Sequence, residues 1–267
     1  MIDHEYKDTK ADPIYEMDGI TIINGDSLEI IPKLCKFNAI ITDPPYGITD
    51  ISWDKQPILI EMWNKLKDRV IDDNSGIIMT AAEPFRTDLI ISNRQWFRYD
   101  MVWIKNAASN FLLAKKMPLK RHEHVLVFSK KHANYYPVMK TGYKPIKSAA
   151  PGTPEHYKIK SGRTAYVNTE GTRYPTSVLE YSLDTRKGKS WHPTQKPLAL
   201  MEYLIQLYTK PGDIILDPYM GSGTTLIAAY NTGRRCIGIE ISPEYCNRAI
   251  ERLSIAKSLK ESTLINN

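Results

Sequence analysis

The segment Asp43-Pro44-Pro45-Tyr46-Gly47 directly follows the apolar run AIIT (39–42). Each proline fixes its own φ and drives the residue before it out of the αR region, so this loop is stiff and extended. It holds one carboxylate, one carbonyl and one aromatic face in a set relation. That combination suits a planar exocyclic amine such as a nucleobase carries. The lone pair of such an amine is delocalised into the ring, which makes it a poor nucleophile. Hydrogen bonds from its two N–H groups to the Asp43 carboxylate and the Pro44 carbonyl favour a pyramidal nitrogen whose lone pair can attack. Tyr46 offers a ring for stacking on a base, a contact worth ~1–3 kcal/mol. A proline-rich turn closing a strand is the plainer account of the same residues.

A second constellation lies in PGDIILDPYMGSGTTLIAAYNTGRRCIGIE (211–240). An apolar run ends at Asp217 and leads into Gly221, Ser222 and Gly223, after which helical spacing begins at Thr224. The glycines permit a tight turn and let backbone amides approach a ligand. A further apolar run, Arg235–Ile239, delivers Glu240 about twenty residues beyond the loop, where an acid accepts bonds from ribose hydroxyls. The pattern predicts a Rossmann-like nucleoside site, against an ordinary glycine-rich strand-to-helix turn. It departs from the dinucleotide spacing G-x-G-x-x-G, and no P-loop sequence occurs, so ATP hydrolysis has no cradle.

The third feature is charge. The chain has 267 residues, with 36 Lys plus Arg against 30 Asp plus Glu, a net +6. Residues 140–190 alone hold Lys140, Lys144, Lys147, Lys158, Lys160, Arg163, Arg173, Arg186, Lys187 and Lys189 against four acids, so the whole excess sits there. Tyr143, Tyr157, Tyr166, Tyr174 and Tyr181 are interleaved. Basic side chains among aromatics suit a phosphate backbone and unstacked bases. The composition equally suits a solvated, lysine-rich insertion.

Strands and helices must position these groups. Apolar runs at Ile20–Ile23, Ala39–Thr42, Gly76–Thr80, Tyr99–Ile104, His124–Phe128, Asp213–Leu216 and Arg235–Ile239 read as buried strands. Helical spacing covers Pro57–Val70, Glu83–Ser92, Leu198–Tyr208, Thr224–Asn231 and Pro243–Leu259. Their alternation predicts an α/β fold, a mostly parallel sheet covered on both faces. Between Lys140 and Ser190 no period survives, and a stretch of that length is functional or separately folded.

Hydrophobic content of 42% and charged content of 25% exclude a disordered or collagen-like chain. No run approaches the ~20 apolar residues of a spanning helix, and the polar MIDHEYKDTK is no secretory signal. Cys35, Cys236 and Cys246 have no zinc spacing, which points to a reducing, cytoplasmic setting. None lies in a Pro-Cys loop. His122 and His124 alternate as strand neighbours without a nearby acid pair, so no metal site is expected, and Glu123 with VLVF reads as an ordinary strand. The tryptophans are expected in core or domain seams, with Trp191 alone adjoining the basic segment.

Taken together, the motifs resemble the β class of S-adenosylmethionine-dependent DNA amino-methyltransferases, which modify N6 of adenine or N4 of cytosine. The family order is a D-P-P-Y loop, a target-recognition region, then the cofactor loop. Here it reads Asp43–Tyr46, the basic segment, and DPYMGSGTT (217–225), supported by INGDS (23–27), WIK (103–105), RHEHVLVFSK (121–130), HPTQKP (192–197) and GIEISPEYCNRA (238–249). The resemblance implies a Rossmann-like doubly wound sheet in permuted order. Residues 1–139 form the catalytic half, 140–190 the target-recognition region and 191–267 the cofactor half.

It also implies roles. Asp43 and Pro44 bind the target amine, Pro45 stiffens the loop, and Tyr46 stacks the flipped base. Asp217, Gly221, Gly223 and Thr224 cradle S-adenosylmethionine, Glu240 takes the ribose, and Asp26 lies near the adenine. His192, Thr194 and Lys196 close over the methionyl end, where Lys196 pairs with the carboxylate. The ten basic residues of 140–190 hold double-stranded DNA. Aspartate at 43 favours adenine N6, since cytosine enzymes more often carry serine there. N4-cytosine is the second reading; RNA, a protein glutamine or an inactive DNA-binding regulator are remoter. A nucleoid-associated cytoplasmic enzyme, monomeric or homodimeric, with a restriction endonuclease as a potential partner, completes the expectation.

Overall fold

Apolar runs too short for helices build a nine-stranded sheet in the computed structural model, which describes residues 13–47, 55–147, 167–183 and 195–265. In chain order the strands are β1 (Tyr15–Met17), β2 (Ile20–Asn24), β3 (Ala39–Thr42), β4 (Gly76–Ala81), β5 (Phe97–Ser109), β6 (Lys120–Phe128), β7 (Ile146–Lys147), β8 (Val167–Asn168), β9 (Val178–Glu180), β10 (Ile214–Asp217) and β11 (Arg235–Glu240). The helices are α1 (Ser27–Ile30), α2 (Leu59–Lys67), α3 (Phe85–Ser92), α4 (Leu198–Tyr208), α5 (Thr224–Asn231) and α6 (Pro243–Ile265). The large sheet runs β1-β2-β11-β10-β3-β4-β6-β5-β9. Its centre, β2, β11, β10, β3 and β4, is parallel throughout.

The central strands read as unbroken apolar runs because helices cover both faces. Alternate residues point to opposite sides. Ile40, Ile77, Met79, Leu216, Ile237 and Ile239 join Met62, Trp63 and Leu66 of α2 and Phe85 and Leu89 of α3 in one core. Helices α4, α5 and α6 pack against one another and against the sheet, α4 on β3, α5 on β10 and β11, α6 on β2 and β11. This is the expected doubly wound α/β architecture. Among the described residues no helix is long and apolar enough to cross a membrane.

All seven apolar runs are strands, and all five helical candidates are helices, with shifted ends. α2 ends at Lys67, short of Val70, and α6 continues past Leu259. Five elements were illegible. β1, α1, β7 and β8 are too short to carry a period. β9 buries only Leu179 between two exposed residues, yet it pairs in parallel with β5 inside the segment that reads as irregular.

By contacts, residues Pro137–Thr176 form one compact unit and the flanking residues another. In the smaller unit β7 and β8 pair antiparallel, and Lys140 and Arg173 exchange backbone hydrogen bonds of 2.9 and 2.8 Å. The Arg173 guanidinium donates to the Thr172 and Lys144 carbonyls and lies 5.2 Å from the Tyr143 ring centre. Gly171 sits at φ +65°, where an added Cβ would stand 2.1 Å from the Tyr143 carbonyl oxygen.

Candidate active site

β3 and β10 lie side by side, and the chain leaves them in opposite directions, towards α2 and β4 on one side and α5 and β11 on the other. Such a switch point opens a crevice beyond the carboxyl ends of the strands. The register brings further groups to the same edge. Thr42 is opposite Met79, which sets Thr80 beside Asp43, and Glu240 is opposite Asn24, which sets Asp26 beside Glu240. Antiparallel β6 returns its first half to this edge, Ala81 opposite His124, and β5 follows with Trp103 opposite Glu123. The result is a cleft of about 1220 Å³. Asp26, Asp43, Tyr46, Glu123, Lys196 and Glu240 all contribute to its lining.

At its centre stands Asp43. Its Oδ1 accepts from the Tyr46 hydroxyl at 2.7 Å and from the Thr80 hydroxyl, and its Oδ2 accepts from Lys196 Nζ at 2.6 Å. The same ammonium is 3.5 Å from Glu123 Oε2, while Lys105 Nζ donates to Glu123 Oε1 at 3.0 Å. Two buried lysines and two carboxylates thus alternate in one neutral chain. Burial works against the Lys196 ammonium, but Asp43 and Glu123 outweigh it and hold its pKa above the ordinary value. Burial likewise favours a protonated Glu123, and Lys196 and Lys105 outweigh it and hold that carboxyl below the usual range. Tyr46 is pushed well up by burial and by the charges of Asp43 and Glu123, so it stays a phenol and a donor. Its ring stacks on Phe85, centres 5.4 Å apart and 24° between planes.

The second loop is built from backbone. Gly221 and Gly223 have φ of +51° and +78°, and Gly223 is the N-cap of α5. Glu240 Oε2 accepts from the Gly221 amide at 3.0 Å and Oε1 from the Ser242 amide at 2.8 Å, while burial raises its pKa. Asp26 caps α1, accepting from the Leu28 amide at 2.7 Å. Arg252 of α6 is buried and donates to the Ser222 carbonyl (2.6 Å), the Ser222 hydroxyl (2.8 Å) and the Thr224 hydroxyl (3.1 Å), tying the loop down from behind.

Asp217 lies beneath this loop, 2% exposed. It accepts from Thr42 Oγ1 at 2.6 Å and from the Tyr219 amide at 3.1 Å, which joins the two loops, and it lines a small pocket with Asp43, Lys196 and Thr224. Burial pushes its carboxyl up to about 6, against the restraining hydrogen bonds of Thr225, Thr42 and the Tyr219 amide. A carboxyl whose pKa rises on folding binds its proton more tightly in the native state, so stability rises as pH falls through 6 towards 4. The linked stability is on the order of 3 kcal/mol. Asp217→Asn removes this titration: its melting temperature relative to wild type is expected to be highest at pH 8 and to decline towards pH 5. Parallel pH profiles for the two proteins would show that another group titrates.

Of the residues read from sequence, Asp26, Asp43, Pro44, Pro45, Tyr46, Lys196 and Glu240 surround one cleft. Gly221, Gly223 and Thr224 form the loop at its side. His192, Thr194 and Trp191 lie outside the described residues, as do Lys158, Lys160, Arg163, Arg186, Lys187 and Lys189. Lys140 and Lys144 are exposed in the smaller unit, whose β7 contains Lys147, and Arg173 is half-buried there. Sequence reasoning missed Thr80, Arg252 and above all Glu123, which faces the cleft instead of serving as a plain strand residue. A lone acid beside VLVF was the available signal, because a charge bordering a buried run needs a partner.

Residues 37–251 match the family model described as DNA methylase, for N6 and N4 methyltransferases. The chain belongs to the DNA methylase family. It is 30% identical over 263 residues to DNA adenine methyltransferase YhdJ of Escherichia coli (strain K12), covering 88% of this chain and 83% of that one. It is also 30% identical to the type II methyltransferase M1.MboII of Moraxella bovis, covering 78% and 86% of the two chains. Among solved structures, the M1.HpyAVI–SAM complex is 28% identical with a TM-score of 0.58, covering 88% of this chain and 99% of that one.

The cofactor of this DNA methylase is S-adenosylmethionine. The chemistry of the cleft fits it. The Glu240 carboxylate stands among Ile239, Ile241, Tyr245, Pro218 and Tyr219, an acid for ribose hydroxyls within apolar walls for an adenine ring. The buried Gln195 Oε1, without a hydrogen-bond partner, lines the same cleft beside Lys196.

Proposed function

We propose that this DNA methylase transfers a methyl group to N6 of an adenine at a specific sequence in double-stranded DNA, with the target base flipped out of the stack. The observation that carries this reading is the position of Asp43, a cleft carboxylate whose loop is joined through Thr42 and Asp217 to the cofactor loop. When bound, S-adenosylmethionine supplies an electrophilic methyl. Asp43 and the Pro44 carbonyl accept the two amine N–H bonds, which localises the nitrogen lone pair and aims it in line with that methyl. Holding the reactants in this geometry contributes most of the acceleration. No protein nucleophile is needed, because the amine brings its own lone pair.

Inside a duplex N6 is stacked and cannot meet the methyl in line, so the base must leave the helix at a cost of a few kcal/mol. Tyr46 supplies a ring near Asp43, and Lys140, Lys144, Lys147, Lys158, Lys160, Arg163, Arg173, Arg186, Lys187 and Lys189 supply phosphate contacts. Asp26, Glu240, Gly221, Gly223 and Thr224 hold the cofactor, with Asp217 fixing the loop and His192, Thr194 and Lys196 at the methionyl end. The name of the Escherichia coli relative supports adenine, and so does aspartate at 43. The type II methyltransferase names of other relatives are in keeping with a modification enzyme; a restriction endonuclease as partner and work on nucleoid DNA in the cytoplasm are part of the same proposal.

Digestion of DNA methylated by the purified protein is expected to release N6-methyladenine. N4-methylcytosine would establish the second reading, since the same machinery serves that amine. Removing any one phosphate-contacting lysine or arginine of 140–190 is expected to weaken binding across all sequences and to reduce the salt dependence by about one unit of slope. An unchanged slope across the set would return the segment to a solvated insertion.

A further inference from the structure

We propose that Glu123 is a positioning residue for methyl transfer: it draws the Lys196 ammonium off Asp43 as the target amine enters, which clears the approach to Asp43 Oδ2 and restores its strength as an acceptor of the amine N–H. The proposal rests on the reading of Asp43 as the acceptor of that amine.

Both oxygens of Asp43 are engaged. Oδ1 already accepts from two hydroxyls, those of Tyr46 and Thr80, and a carboxylate oxygen has two lone-pair sites. Oδ2 is therefore the oxygen left for the substrate, and Lys196 Nζ holds it at 2.6 Å. An ammonium there competes with the incoming N–H and drains the acceptor strength that should localise the amine lone pair. Lys196 has a second carboxylate within reach. Glu123 Oε2 is 3.5 Å from Nζ, an ion pair at the outer limit of hydrogen-bond distance. Movement of about 1 Å by the flexible lysine end would complete that bond and vacate Oδ2.

Glu123 itself is fixed. Its Oε1 is held by Lys105 across the β5–β6 pair, and the carboxylate is 15% exposed. The transfer of Lys196 leaves the charge of the cluster at zero before and after, so no ion is stranded in the cleft. Without Glu123, two ammonium groups face one carboxylate, and Lys196 stays on Asp43.

The test uses single-turnover transfer of labelled methyl to genomic DNA from a methylation-free host, beside S-adenosylmethionine affinity by calorimetry. Glu123→Gln is expected to slow transfer at least tenfold with cofactor affinity within twofold of wild type. Adding Lys196→Met removes the ammonium that locks Asp43, and, at a cofactor concentration that saturates the double variant by calorimetry, at least threefold of the lost rate is expected to return. Wild-type rate in Glu123→Gln, or a double variant no faster than the single one, would overturn the proposal. If Glu123→Gln fails to bind cofactor, Glu123→Asp, which keeps the charge but shortens the reach, carries the same expectation and the same refutation. Asp43→Ala separates the two levels. Full activity in that variant overturns the role of Asp43, whereas an impaired Asp43→Ala with an unaffected Glu123→Gln overturns only the role of Glu123.

Discussion

Asp43→Ala is expected to bind S-adenosylmethionine at close to wild-type strength and to lose methyl transfer by about 100- to 1000-fold, the range seen when one preorganised hydrogen-bonding group is removed from a reacting centre. The two effects separate because the cofactor loop does not hang on Asp43. Gly221 is held by Glu240, Ser222 and Thr224 by Arg252, and Tyr219 by Asp217. What the variant loses is the acceptor for the target amine and the shared partner of Tyr46, Thr80 and Lys196. Lys196 keeps Glu123 within reach, so the cluster retains one carboxylate for its ammonium groups. Cofactor titration beside a transfer assay reads both halves of the prediction. Full transfer in Asp43→Ala would remove this residue from the mechanism.

Gly223→Ala is expected to lower S-adenosylmethionine affinity by roughly tenfold or more. A left-handed backbone costs an L-residue about 1–2 kcal/mol, and each 1.4 kcal/mol is about tenfold in affinity. Position 223 lies at φ +78°, and the new Cβ would stand 2.8 Å from the Ala249 Cβ of α6. The loop can escape only by unwinding the first turn of α5 or by moving away from α6, and both displace the Gly221 amide and Thr224. Ala249→Gly in the same chain relieves the contact but not the backbone cost, so affinity should recover only in part. Unchanged affinity in Gly223→Ala would show that the loop conformation does not govern cofactor binding.

The legible parts of this protein were those where one short segment contains both the structural cause and the chemical group. Asp43-Pro44-Pro45-Tyr46 announces a rigid loop, and DPYMGSGTT (217–225) announces a turn with close backbone approach. The strands around them are continuous apolar runs because both sheet faces are covered, so length and composition identified them. Glu123, Thr80 and Arg252 were illegible for a common reason. Glu123 matters because antiparallel β6 returns to the edge where β3 and β4 end. Thr80 matters because register sets it beside Asp43, and Arg252 because α6 crosses behind the cofactor loop. Those are relations between distant segments, and local spacing does not encode them. Asp217 shows the converse. Its place in the motif was legible, but its burial under Thr42, which also makes it a bond between loops, was not.

Expression of the chain in a host without DNA methylation, followed by sequencing of modified bases, tests the central claim most directly. The account predicts N6-methyladenine at one fixed position within a short recurrent sequence, and a far smaller fraction of those sites modified shortly after induction when the expressed chain carries Asp43→Ala. Modification confined to cytosine, or N6-methyladenine that accumulates as fast in the Asp43→Ala chain, would contradict it.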